Sequence, residues 1–238
     1  LGVCSLNHHG KPVVICPIRF REDWIIISDA ADFFFEGKVA WTHDGEVRLK
    51  DKHGKSAGNI DYVLVSYDEK GRVLDFGSLE VQSVYISGNI TGPFTVYLED
   101  PKTSFNWPQA FKYPKPDYLS SSRKRLIPQI IAKGSILKQW NKKQAVALQT
   151  AFYNTLPSLP ECDRSESDFA FFLYDLEPGK ETKTMTLKLQ RVVYTKFASV
   201  KVNLLGKTEN SSSNFLEKDF LIEEFVQQID EIEVYEQY

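Results

Sequence analysis

The chain has 238 residues, 42% of them hydrophobic and 13% aromatic, with a formal net charge of -3. This composition suits one substantial folded domain and argues against intrinsic disorder. No apolar run reaches membrane-spanning length and three cysteines are too few for a disulfide scaffold, so a cytoplasmic protein with no membrane partner is expected.

Residues 1–11 lack the basic flank, apolar stretch and small-residue cleavage site of a secretory leader. The chain opens with Leu rather than Met, which leaves room for residues upstream. Cys4, His8, His9 and Cys16 follow one another closely among small and turn-forming residues. Thiolate and imidazole together favour a tetrahedral zinc or iron ion. Adjacent side chains diverge, so Cys4, Cys16 and one histidine leave that ion a ligand short. The fourth would be the second histidine or an upstream cysteine; the plainer reading is buried thiols and surface histidines. Residues 1–20 are therefore expected to form a small structural metal-binding segment ahead of a larger domain over 21–238. Ile15 to Phe20 and Trp24 to Ile27 read as short strand or core segments. Asp29 to Phe35 reads as a short helix with Asp29 near its start.

The stretch from Asn59 to Ile86 organises the rest. Ile60 to Tyr67 is rich in Val and Tyr, Asp68-Glu69-Lys70-Gly71 carries turn chemistry, and a second apolar run begins at Val73, which predicts a hairpin over 59–86. Strand alternation puts Glu80 and Gln82 on one side and Leu79, Val81 and Ser83 on the other. A charge in so apolar a strand is costly unless paired or metal-bound, and hairpin pairing brings Asp61 towards Glu80. Two converging carboxylates suit a hard cation such as Mg2+, with the Val81 carbonyl as a further oxygen ligand. The competing reading is a pair of ordinary edge acids. Gly58-Asn59 and Gly77-Ser78 would permit a bulge or a close approach beside a ligand. Lys55 belongs to a local basic cluster with Lys50, Lys52 and His53, facing phosphate or solvent.

Phe94 to Leu98 continues the strand pattern. Residues 99–118 are loop-like and rich in proline, with Phe105, Trp107, Phe111 and Tyr113 interleaved with lysines. Ser120, Ser121 or Ser122 is positioned to cap a helix over Arg123 to Trp140, and Gln144 to Leu156 also reads as helix. Phe169 to Leu176 has the continuous apolarity of a strand covered on both faces. Thr184 to Phe197 reads as a long bent strand, and Phe215 to Glu233 as an amphipathic helix. From Lys102 to Lys143 there are ten Lys or Arg and one acid, against eight acids and one lysine from Glu217 to Glu236. That polarity suits a polyanion footprint, with Arg123, Lys124 and Arg125 near a helix start, although a solvated basic face would look the same.

Two blocks of the hairpin, Ala57-Gly58-Asn59-Ile60-Asp61 and Phe76-Gly77-Ser78-Leu79-Glu80-Val81-Gln82, carry a resemblance, and two more lie outside it: Cys16-Pro17-Ile18-Arg19-Phe20-Arg21 and Pro116 to Gln129. Together they resemble the NotI restriction endonuclease family, from about residue 1 to about residue 200. The resemblance implies an α/β nuclease core of the PD-(D/E)xK superfamily, a central mixed sheet flanked by helices. It also implies that Asp61 and Glu80 hold Mg2+ and that Gln82 stands where most of the superfamily has lysine. Glu46 would be an extra acid on a helix before the first catalytic strand, available to a second metal. A four-cysteine iron site would precede the CP-x-RFR stretch, and this chain shows two of those cysteines. The implied activity is that of a Mg2+-dependent type II restriction endonuclease. It would cut double-stranded DNA at a specific site as a homodimer, beside a cognate DNA methyltransferase. Gln82 cannot act as a general base, but its amide can orient water or a phosphate oxygen. The alternatives are a repair or recombination nuclease on the same core, a non-catalytic DNA-binding module, and a protein-interaction domain.

Overall fold

The computed structural model describes residues 4–37, 39–50, 56–101, 113–180, 184–205, 225–227 and 229. Strands β1 (Ser5–His8) and β2 (Lys11–Val14) form a small hairpin, and a 3-10 stretch over Pro17–Trp24 leads into α1 (Ile25–Phe34). Next come β3 (Ala40–Lys50), β4 (Ser56–Tyr67), β5 (Val73–Gln82), β6 (Ile86–Ser87), α2 (Thr91–Glu99) and β7 (Lys115–Pro116). Then α3 (Tyr118–Ser121) and a π-helical turn over Ser122–Leu126 run into α4 (Ile127–Gln139). The chain continues through β8 (Gln144–Gln149), α5 (Thr150–Tyr153), β9 (Phe169–Pro178), β10 (Met185–Thr195) and α6 (Phe197–Leu205). None of the described helices is long and apolar enough to cross a membrane.

Six strands make one mixed sheet in the order β10-β9-β8-β5-β4-β3. The β5–β8 and β8–β9 pairs are parallel and the other three antiparallel. Parallel neighbours cannot be joined by a tight turn, so the chain between β5 and β8 must cross over a face of the sheet, and α4 is its helix. On one face α1 sets Ile26, Ala30, Phe33 and Phe34 against Leu64, Leu79, Ala145, Ala147 and Phe172. On the other, Ile130 of α4 packs with Val146, Leu148 and Phe171. Further along the same helix, Ile136 and Leu137 pack with Val63, Val65 and Phe76, joined by Phe225 and Ile229. This is an α/β fold with a central mixed sheet flanked by helices, consistent with a PD-(D/E)xK-like core.

The hairpin, the strand at Phe169 and the bent strand before Phe197 are where sequence patterning puts them. The bend of β10 is a register shift between Leu189 and Arg191. Other segments differ. Trp24 to Ile27 is not extended: Asp23 and Trp24 take positive φ, 50° and 53°, kink the 3-10 stretch, and release α1 at Ile25. Asp29 therefore lies inside the helix, where its carboxylate accepts a hydrogen bond from the Tyr174 hydroxyl at 2.6 Å rather than capping. Phe94 to Leu98 is part of helix α2. Asp117, not a serine, caps α3 by accepting from the Ser120 amide at 2.9 Å. Gln144 to Leu156 is a strand followed by one helical turn. All six residues of β8 are buried, so polar alternation was absent and the apolar spacing across strand and turn imitated a helix. Most of the expected helix from Phe215 to Glu233 lies outside the described residues.

Gly77 makes room for a ring rather than a ligand. A Cβ there would stand 2.5 Å from Cγ of Phe34, closer than any side chain tolerates, so α1 can seat on β5 only above a glycine. Gly77→Ala is expected to cost about 1–3 kcal/mol in chemical denaturation. In a Phe34→Ala background the same change should cost far less. Equal costs in both backgrounds would contradict this packing.

Candidate active site

The β4–β5 ladder pairs Tyr62 with Leu79, which brings Asp61 beside Glu80 just where backbone pairing between the two strands stops. The Asp61 carboxylate continues the ladder itself, its Oδ2 accepting from the Val81 amide at 2.8 Å. Glu80 is 2% exposed. Its Oε2 accepts from Lys133 Nζ of α4 at 2.5 Å, while its Oε1 is buried with no hydrogen-bond partner. Gln82, also buried, donates from Nε2 to the Ser83 carbonyl at 2.6 Å. In the parallel register Glu80 and Gln82 stand beside Val146 and Leu148, the β8 residues that pack against α4.

Local backbone chemistry shapes the β4 side. Between Leu49–Gly58 and Lys50–Ser56 the β3–β4 register shifts, a bulge at the start of β4, and Gly58 takes φ 116°. A Cβ on Gly58 would lie 3.9 Å from Cε of Lys133, so this glycine borders the lysine stem.

Burial pushes the Glu80 carboxyl above the usual carboxylate range, against the pull of the Lys133 ammonium and with the push of the Asp61 carboxylate. A buried acceptor oxygen without a donor is a debt that water or a cation normally settles. Here it belongs to an acid next to a second acid. Oxygen donors of this kind, two carboxylates and strand carbonyls, fit a hard divalent cation. Among the described residues, no three His, Cys, Asp or Glu side chains gather as a ready metal site.

Glu46 is not on a helix. It sits in edge strand β3, exposed and at φ 58°, in a register that sets it across from Asp61. Its charge and that of Asp61 both help raise the Tyr62 phenol, for which burial is the leading cause.

Arg123, Lys124 and Arg125 are exposed in the π-helical turn ahead of α4. Arg125 lies over Tyr85, its Cζ 3.6 Å from the ring centre, and donates to the Tyr85 hydroxyl. From Lys133 back to Arg125 is about 12 Å along the helix axis. Lys124 is close enough to Asp117 to help hold that carboxyl below its usual range, after the hydrogen bonds from Ser120. Asp117 is therefore an acid near this cluster. Lys55 lies outside the described residues.

The N-terminal hairpin divides the four expected metal ligands. Cys4 and Cys16 flank its open end, where the Ile15 amide donates to the Cys4 carbonyl at 3.0 Å. His8 and His9 stand at the turn, about 13 Å away along the strand, with ring centres 4.1 Å apart. The four side chains do not meet. The CP-x-RFR stretch instead anchors the sheet: Phe20 is fully buried, and Arg19 donates to the Met185 carbonyl of β10 at 2.5 Å. Arg21 lies about 6 Å from the ring centres of Trp24 and Tyr62.

Lys133 is the site residue that sequence reading passed over. Its signal is present: it falls between Ile130 and Leu137 on the apolar stripe of α4, where an ordinary lysine has no reason to be.

No curated protein matches the chain significantly. A family model, Restriction endonuclease NotI, matches residues 3–187 and so spans Asp61, Glu80, Gln82 and Lys133. With the match running from the N-terminal hairpin through the carboxylate hairpin and crossover helix into β10, the chain belongs to the NotI restriction-endonuclease family, whose activity is that of a nuclease.

Proposed function

We propose that this protein is a Mg2+-dependent type II restriction endonuclease hydrolysing phosphodiester bonds of double-stranded DNA at a specific site. The observation that carries the reading is the unpartnered Oε1 of Glu80, buried beside Asp61 at the end of a strand pair. In this reading Asp61 and Glu80 hold the cation. The Val81 carbonyl joins them, since its amide already faces Asp61 and both backbone groups of a strand residue point to the same edge. Bound there, Mg2+ would neutralise charge developing on the phosphate and lower the pKa of a water. Gln82 orients a water or a phosphate oxygen through its amide, without exchanging a proton. Glu46, across the register from Asp61, is the acid available on the outer side for a second cation.

Arg123, Lys124, Arg125 and Lys55 are assigned to the DNA backbone. The first three project from the π-helical turn that runs into α4, so their charge would lie within a few base steps of the carboxylates. Cutting both strands of a duplex calls for two such sites, and a two-fold dimer matches a palindromic target. A cognate methyltransferase and a cytoplasmic setting belong to the same proposal.

Long duplex DNA incubated with Mg2+ is expected to give discrete fragments with one shared end sequence, and none with EDTA. Asp61→Asn or Glu80→Gln should lower the rate by about two orders of magnitude or more while retaining most DNA affinity. Unspecific ends would point to a repair or recombination nuclease. Either variant cutting at the wild-type rate would remove the carboxylates from the mechanism.

A structural iron or zinc ion at Cys4 and Cys16 is proposed separately, on the chemistry of two free thiols that flank the open end of one hairpin. The histidines at its turn are not part of that site. Elemental analysis of protein purified without added metal should find about one ion per chain. The content should survive the double change His8→Ala, His9→Ala and fall in Cys16→Ser. A wild-type content near zero would withdraw the ion.

A further inference from the structure

We propose that Lys133 is the positioning residue of the carboxylate site. Its ammonium grips Oε2 of Glu80, leaves Oε1 for the cation, and supplies the positive charge that the neutral Gln82 does not. This assignment rests on the nuclease reading above.

Glu80 and Lys133 are the two charged residues that are buried among the described ones, at 2% and 5% exposure, and they are bonded to each other at 2.5 Å. An ammonium on the apolar stripe of a crossover helix is expensive, and surface lysines do not settle there by default. Specific features of the backbone bring it in. At Gly134, the next residue, a Cβ would fall 2.2 Å from the Phe197 ring and 2.7 Å from Gln144 Oε1, so α4 approaches α6 and β8 more closely than a side chain would permit. On the far side the stem of Lys133 passes Gly58, whose φ of 116° suits glycine and where a Cβ would stand 3.9 Å from Lys133 Cε, an ordinary contact.

Charge balance gives the contact a purpose. Asp61 and Glu80 repel each other, and both must converge to hold a cation. With a divalent cation present their charges are cancelled, and the phosphodiester then adds a negative charge that Lys133 offsets. Without Lys133 the buried site would be net anionic before any bond is broken, in surroundings where charge is weakly screened. The split of the carboxylate also matters. Lys133 takes one oxygen only, so it fixes the side chain without filling the position beside Asp61.

The test is calorimetric titration of Ca2+ into DNA-free wild-type protein, Lys133→Met and Lys133→Arg. Lys133→Met should bind Ca2+ more weakly by a factor of about 10–100, and Lys133→Arg should recover most of that loss. Unchanged or tighter Ca2+ binding in Lys133→Met would overturn the assignment, because a lysine that only fills space has no effect on the ion or repels it. Lys133→Met leaves Glu80 buried without a cation and can fail to fold, so wild-type protein carries a second measurement. Acetylation of surface amines, read by mass spectrometry, should spare Lys133 relative to Lys124 both without metal and with saturating Ca2+. Acetylation of Lys133 rising to the level of Lys124 on adding Ca2+ would show that the ion displaces it, and would also overturn the assignment. The two readings fail separately. Protein that shows the Lys133-dependent Ca2+ binding but leaves DNA intact with Mg2+ contradicts the nuclease reading. Protein that cuts DNA, yet binds Ca2+ equally well in Lys133→Met, contradicts the role of Lys133.

Discussion

A carboxylate and an ammonium buried against each other, Glu80 on the sheet and Lys133 on the crossover helix, form the contact on which the site depends. Buried ion pairs seldom add stability compared with apolar side chains of the same size, so their presence needs another reason. Here the pair lies between the apolar cluster around Ile130 and that around Ile136, interrupting what could have been continuous packing beneath α4. The interruption faces Asp61. A fold selected for stability alone would have closed that gap with aliphatic carbon.

The rest of the architecture can be understood as support for that contact. Parallel pairing of β5 with β8 forces a crossover, and the crossover brings α4 over the same stretch of β5 that carries Glu80. Antiparallel pairing of β4 with β5 delivers Asp61 to the other side. The opposite face is held by α1, seated over Gly77 and tied to β9 through Asp29 and Tyr174. Helix α4 thus joins two surfaces: Lys133 inside, and the exposed Arg123–Arg125 turn at its start. The exposed cationic side chains and the buried charge at the carboxylates belong to one continuous helical stretch.

Much of the hairpin was legible because its signals are local. Valine-rich alternation, a four-residue turn with glycine, and acids in apolar strands each speak for themselves, and the bulge at Gly58 follows from a glycine placed before a strand. Glu46 and Gly77 were misread for the opposite reason. The edge strand that holds Glu46 exists only through pairing with β4, and the ring above Gly77 comes from a helix more than forty residues away. Strand β8 was hidden by its own burial, since a strand covered on both faces loses the alternation that marks strands. Lys133 was legible in principle as a charge on an apolar stripe. Its partner was not, because Glu80 and Lys133 are 53 positions apart and only the crossover brings them together. The N-terminal ligands show the limit of spacing: two thiols and two imidazoles close in sequence are separated by the hairpin that joins them.

A cation that takes Oε1 of Glu80 and the Asp61 carboxylate, while Lys133 keeps Oε2, has one defined position. Anomalous diffraction from crystals containing Mn2+ and duplex DNA tests it most directly. The expected result is a peak at about 2.0–2.2 Å from an oxygen of each acid, the range of a small divalent ion, with Lys133 Nζ still bonded to Glu80. Density for the ion at some other place, or at the position held by the Lys133 ammonium, would contradict it.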